Sequence, residues 1–248
     1  MADLPSPSSR VTECHPFARV GVDYAGPFSV KENRLRKPRM YKMYLAVFVC
    51  FTVRAVHLEY YVSDLSTGAF IAALHRFVAR RGLPTDIYSD CGTNFVGANN
   101  SLRELVNDPA CHDQLTASVH CTWHFNPPGA PHFGGLWEAA VRSSKSLLMR
   151  IMREHTFTIE EFGTVLCRCE AILNSRPITP APSDPAELEC LTPGHFLIGR
   201  PLLAVPEAAI PSTTRSLEQR WKLVSQCVQA FWRRWRNEYL QTLQIRSR

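Results

Sequence analysis

The chain reads as an α/β protein, a five-stranded mixed sheet with flanking helices followed by a C-terminal helical extension. Three observations predict this. Segments rich in β-branched and aromatic residues follow one another over 17–24, 41–51 and 53–62, as the strands of a meander do. A segment with helical spacing then leads into a fourth apolar run at 87–89, a β-α-β crossover that sets this strand parallel to the first. Near the end, Leu217, Trp221, Val224, Val228, Phe231, Trp235 and Tyr239 recur at three- and four-residue steps, the stripe of one long helix.

Taken in order, residues 1–14 form a polar leader, and Phe17 to Tyr24 a strand that closes on Ala25-Gly26-Pro27. Lys31 to Arg39 holds five basic residues and one acid, with Lys42 just beyond, which suits a solvated hairpin tip or a phosphate-contacting loop. Tyr41–Phe51 and Val53–Val62 follow as antiparallel neighbours. Ser66 or Thr67 caps a helix whose apolar side is Phe70, Ile71, Leu74, Phe77 and Val78, and Gly82 stops it. After the fourth strand come a short helix over 98–107, capped near Asn99 or Asn100, and a fifth strand over Val119–Phe125. Asn126 to Gly135 is too rich in proline and glycine for regular structure and predicts a mobile loop. Helix resumes from Leu136 to about Glu154, with Ala140, Leu147, Leu148 and Ile151 facing the core; Glu138, Arg142 and Lys145 share its other side. The order is β-β-β-α-β-α-β-α. A further helix is expected over Thr158–Ser175, ending near Asn174, and then a proline-rich connector over 176–214.

With 248 residues, 45% of them apolar, there is chain enough for a core domain and an appendage, divided as 1–14, 15–155, 156–175, 176–214 and 215–248. Nine cysteines, an odd number without a Cys-x-x-Cys pair, suggest neither a disulfide framework nor a zinc ribbon, and favour a reducing compartment. Cys111-His112 and His120-Cys121 lack the spacing of a zinc finger. The longest apolar run, Tyr44 to Val53, is too short for a bilayer, so no membrane association is expected. From Arg215 onward there are eight basic residues against two acidic ones, so the whole formal excess of +6 lies in this tail. Its basic flank either holds phosphates or is a plain solvated face, and its apolar stripe must dock on the core, a second copy or a partner.

Three carboxylates stand out. Asp23 interrupts the first strand, Asp90 ends the fourth and runs into Cys91-Gly92-Thr93-Asn94, and Glu138 opens a helix entered from the glycine-rich loop. Each has a plain explanation alone: Asp90 as an Asx turn, Glu138 as an acid at the positive end of a helix dipole. Together they suit a sheet whose paired strand ends and adjoining helix bring three acids to one point. Two unit charges about 4 Å apart repel by roughly 4 kcal/mol at an effective dielectric near 20. A pair of Mg²⁺ or Mn²⁺ ions removes that objection, because all-oxygen ligation suits them and such a pair drives phosphoryl transfer.

The blocks Val20-Gly21-Val22-Asp23-Tyr24-Ala25-Gly26-Pro27, Arg80-Arg81-Gly82-Leu83-Pro84, Tyr88 to Gly97, and Phe125-Asn126-Pro127-Pro128 through Pro131 to Glu138 resemble the integrase region of long-terminal-repeat retrotransposon polyproteins, especially the BEL/Pao group. Leu191 to Pro201 resembles it too. The resemblance implies a ribonuclease-H-like catalytic core and a DDE triad of Asp23, Asp90 and Glu138 that binds the metal ions. The implied activity is 3′-end processing of element DNA and its strand transfer into target DNA. It further implies DNA contacts by Arg142 and Lys145 on the Glu138 helix, and His132 and Asn94 are further candidates for this role. A homo-oligomer acting in the nucleus, with a cytoplasmic particle as a second location, is the matching expectation.

The sequence departs from the pattern in two respects. Cys91 stands where such relatives carry Asn, which removes an amide's hydrogen bonds and predicts reduced activity. Relatives also carry a zinc-binding His-His-Cys-Cys module ahead of this core and more sequence behind it, so a fragment, a decayed copy or a domesticated remnant is expected. The alternative function is a non-catalytic nucleic-acid-binding or interaction protein that keeps the fold. Asp90 and Glu138 are 48 positions apart, so the segment around 107–118 is expected to loop out without moving Glu138.

Overall fold

The computed structural model describes residues 15–35, 37–107, 121–125, 145–150, 152, 155–178, 190–202 and 218–243. The leader, the insertion around 107–118, Cys111, His112, His120, the glycine-rich loop with His132, Glu138, Arg142 and most of the connector lie outside them.

The strands are β1 (Arg19–Lys31), β2 (Met40–Cys50), β3 (Val56–Val62), β4 (Asp86–Ser89), β5 (Thr122–Phe125) and the two-residue β6 (Phe157–Thr158). The helices are α1 (Thr67–Arg81), α2 (Thr93–Asn107), α3 (Ile159–Asn174), α4 (Pro193–Ile198) and α5 (Glu218–Leu243); residues 145–150 are helical as well. The sheet order is β3-β2-β1-β4-β5, with β6 on β1. β2 and β3 are antiparallel. Hydrogen bonds from Phe51 N to Arg19 O and from Glu32 N to Arg39 O, both 3.0 Å, run β1 and β2 in opposite directions. β4 is parallel to β1, and β5 to β4. A three-stranded antiparallel meander continued by two parallel strands through helical crossovers is the ribonuclease-H-like arrangement. Among the described residues no helix is long and apolar enough to cross a membrane.

Two expectations need correction. β1 does not close at Ala25 but continues through a cis Gly26–Pro27 peptide to Lys31, pairing there with β6. The helix after Asp90 starts at Thr93 rather than 98, because the Gly92 carbonyl already accepts Phe95 N and Val96 N, each at 3.0 Å.

The chain forms two compact units, one of 1–25 with 43–139 and the other of 26–42 with 140–248. The first has an aromatic core. Phe70 on α1, fully buried, meets Tyr24, Phe48, Phe95 and Trp123 at centroid distances of 6.1, 6.4, 4.9 and 5.7 Å, and Phe48 stacks on Phe77 at 4.2 Å. Such pairs contribute about 0.5–1.5 kcal/mol each beyond area burial. Ser66 caps α1, its hydroxyl accepting from Ala69 N at 3.2 Å, and Gly82 ends it at φ +86°, a conformation that costs other residues more. Glu59 on β3 is 2% exposed and is held by Arg76 at 2.8 Å and by Arg80. Burial alone would raise its carboxyl; His57, Arg76 and Arg80 outweigh that and hold it below the usual range.

The second unit repeats this device with Glu161. Thr158 and Glu161 form a capping box at the start of α3. Glu161 also receives Arg220 of α5 through Nε at 3.0 Å and Nη2 at 2.5 Å, with Arg34 of the β1–β2 hairpin at 3.4 Å. α5 packs on α3 through Val224, Cys227, Val228 and Phe231, so docking is the fate of its apolar stripe. Trp221, expected in that stripe, is instead 59% exposed, because Val224, Val228 and Phe231 centre the contact away from it.

Burial tends to raise the Glu161 carboxyl, but Arg220, the Thr158 N–H and Arg34 together hold it below its usual range. A depressed folded pKa gives stability that is present above the unfolded value, about 4.3, and lost as pH falls through the folded one. Glu161→Gln is therefore expected to cost about 2 kcal/mol at pH 7 and progressively less below about pH 4, read as the gap between the thermal midpoints of parent and variant at each pH.

Candidate active site

The register of β1 on β4 sets Arg19 beside Asp86, Val20 beside Ile87 and Gly21 beside Tyr88. By alternation Asp23 shares the face of Arg19 and Gly21 on β1, and Asp90 directly follows Ser89, the last residue of β4. Asp23 is half-buried and Asp90 exposed.

Local backbone bonds aim both carboxylates. Asp23 Oδ1 accepts Tyr24 N at 2.6 Å, and Asp90 Oδ1 accepts Gly92 N at 3.0 Å. On the opposite face, Trp123 Nε1 donates to Ser89 Oγ at 2.9 Å, and Ser89 Oγ donates to the Asp90 carbonyl at 2.8 Å. Strand β5 thus fixes where β4 ends. Gly92 leaves room for two side-chain oxygens: a Cβ there would meet Asn94 Oδ1 at 2.7 Å and Asp90 Oδ1 at 3.0 Å, so these side chains would have to shift. Phe95 anchors the turn, stacking on Tyr24 at 5.4 Å, and Gly97 lets α2 approach Thr67 of α1 where any Cβ would overlap it.

Asn94 is only 8% exposed, on the first turn of α2, and its Nδ2 is buried without a hydrogen-bond partner among the described residues. Burial pushes the neighbouring Tyr24 phenol up to about 12, with Asn94 pulling it back and the Asp64 charge adding to it, so it stays protonated at neutral pH. Lys145 is half-buried at the start of the helical stretch 145–150. Cys91 is exposed beside Asp90. Burial, and then the Asp86 charge, push the Cys121 thiol up to about 11.

The sequence reading did not single out a polar row toward the start of β4. Asp86 faces Arg19 at 3.6 Å and His124 at 2.8 Å and accepts Thr85 Oγ1 at 3.0 Å, while the Tyr88 ring stacks on His124 at 4.4 Å. Alternation would have put Asp86, Tyr88 and Asp90 on one face; the pairing with β5 came only from three dimensions. Among the described residues no three His, Cys, Asp or Glu side chains group as a metal site. Asp23 and Asp90 offer carboxylate oxygens, hard donors of the kind that suit Mg²⁺ or Mn²⁺.

A family profile described as a family of unknown function (DUF5641) matches residues 219–248. No curated protein matches the chain. Similar solved structures include a chain of the simian T-cell lymphotropic virus intasome in complex with a PP2A regulatory subunit, 16% identical with a TM-score of 0.47, where 81% of this chain covers 61% of that one. Another is the HTLV-2 integrase catalytic core domain in complex with magnesium, in its trimeric form: 17% identity, TM-score 0.43, 74% of this chain and 97% of that one. The chain thus spans less than two thirds of the intasome chain.

Gly92→Ala is expected to weaken Mn²⁺ binding at least fivefold in calorimetric titration, because its methyl group displaces the Asp90 carboxylate. The thermal midpoint is expected to move little, since the turn remains anchored by Phe95.

Proposed function

We propose that the chain is the catalytic core of a retrotransposon integrase of BEL/Pao type, which processes the 3′ ends of element DNA and joins them to host DNA by metal-dependent transesterification. The observation that supports this best is the parallel β1–β4 register, whose continuation by two residues would bring Asp23 opposite Asp90 at the strand ends. Glu138 is the proposed third acid, and the sequence blocks that flank it support this.

In this reading Asp23, Asp90 and Glu138 hold two Mg²⁺ or Mn²⁺ ions, which would activate a water or a DNA 3′-hydroxyl and stabilise the departing 3′-oxygen. The chain's own part is positioning. Tyr24 N and Gly92 N hold the two aspartates in fixed rotamers, so little reorganisation is left for the moment of reaction. In-line attack forms one P–O bond as the other breaks, and the proton of the nucleophile leaves to water, so no covalent enzyme intermediate is required. Arg142, Lys145, His132 and Asn94 are proposed DNA contacts, with a homo-oligomer in the nucleus as the working form.

Cys91, exposed beside Asp90, favours one alternative, a domesticated or decayed core that binds nucleic acid without cutting it. A strand-joining assay with cognate DNA ends and Mn²⁺ separates the two. The integrase reading expects products from the parent, a loss of at least a hundredfold in Asp90→Asn, and a gain in Cys91→Asn. Joining that survives Asp90→Asn undiminished removes Asp90 from the chemistry.

A further inference from the structure

Helix α5 carries a feature on its solvent side that the proposed chemistry does not use. From residue 219 to 237 the helix has no acid, and besides Arg220, which is turned in to Glu161, it carries four basic side chains, Lys222, Arg233, Arg234 and Arg236. Two tryptophan–cation doublets, Trp221-Lys222 and Trp232-Arg233, stand eleven residues apart. Eleven residues are close to three whole turns, so the doublets align along one side of the helix about 16 Å apart. Trp221 is 59% and Trp232 41% exposed, high values for the largest apolar side chain. Arg236, one turn beyond, lies over the Trp232 ring at 4.7 Å, and Arg233 Nε donates to Gln229 O at 3.3 Å, so both guanidinium groups are already ordered.

We propose that this face of α5 binds an unpaired stretch of nucleic acid, with bases stacked on Trp221 and Trp232 and phosphates on Arg233 and Arg236. The charge and the rings decide the occupant. A second copy of the chain would bring like charges together. A lipid surface would need the helix's apolar stripe, but Val224, Cys227, Val228 and Phe231 are buried against α3. An acidic peptide would use the arginines and leave two exposed indoles without a function. Aromatic platforms interleaved with cations are how single strands are held irrespective of sequence, and paired bases present no face to stack on. This surface goes beyond the proposed catalytic reading and does not depend on it.

The test is fluorescence anisotropy of the full chain with a labelled single-stranded oligonucleotide and its duplex, in EDTA so that no metal-dependent chemistry contributes. The single strand should bind more tightly than the duplex. Trp221→Ala with Trp232→Ala should weaken binding about tenfold or more, while the paired Phe variants retain most of it. Arg233→Ala with Arg236→Ala should weaken it too and reduce the slope of log affinity against log salt by about 1.4, two single-strand phosphate contacts. Circular dichroism checks that the exposed substitutions leave the helix folded. Unchanged affinity in both double variants, equal binding of duplex, or displacement of the oligonucleotide by polyglutamate of equal charge would overturn the proposal. Asp90→Asn should bind as the parent does; a variant that loses joining but keeps this binding separates the catalytic site from the helix surface.

Discussion

The parallel pairing of β1 with β4 is the constraint on which the rest of the first unit depends. Its register is set at the start of the strands, where the Ala18 carbonyl accepts Thr85 N at 2.8 Å, Asp86 N at 3.1 Å and Thr85 Oγ1 at 2.9 Å. Thr122 N donates in turn to Thr85 O at 2.7 Å, which brings in β5. A slip of one residue would turn Asp23 to the opposite face, into the aromatic core occupied by Tyr24, Phe70 and Phe95. The same hydrogen bonds that fix the core therefore fix the carboxylates. Phe17, held at φ +65°, shows how firmly this corner is determined: its buried ring packs edge-on against Phe77 at 5.4 Å and offsets the cost of the strained backbone.

Among the described residues each unit buries one glutamate against arginines. Glu59 joins β3 to α1 through Arg76 and Arg80, and Glu161 joins α3 to α5 and to the β1–β2 hairpin through Arg220 and Arg34. Burying a charge is costly unless paired, so such clusters specify one arrangement of the elements more than they add net stability. In the second unit this means that α5 is held at one rotation about its axis. Its apolar stripe faces α3, and the tryptophan and arginine side is left outward.

Much of this was legible in the sequence, for identifiable reasons. The meander, the capped α1 and the helix from about Thr158 to Asn174 follow from local patterns, which act over a few residues. The start of α2 is hidden in the sequence because Cys91-Gly92-Thr93-Asn94 looks like a turn; the helix in fact begins at Thr93, with the Gly92 carbonyl as its first acceptor. The extension of β1 past Pro27 was missed because proline usually ends a central strand, yet here β6 supplies only two residues of pairing beyond it. Trp221 fits the apolar stripe by spacing yet lies outside the contact, because periodicity alone does not locate the centre of a helix face. The pairing of Asp86 with His124 and Arg19, and of Ser89 with Trp123, depends on strand neighbours far apart in sequence. The two proposed site aspartates stand out in the sequence itself, because an acid in or at the end of an apolar strand has few structural reasons to be there.

The central claim is that Asp23 and Asp90 share a divalent ion. It is tested most directly by diffraction from crystals soaked in Mn²⁺, recorded for the anomalous signal of the metal. The account predicts a manganese peak bound at about 2.1 Å to one carboxylate oxygen of each aspartate, with Glu138 beside it and no such peak in Asp90→Asn crystals. Manganese held elsewhere, or none between the two aspartates, would contradict it.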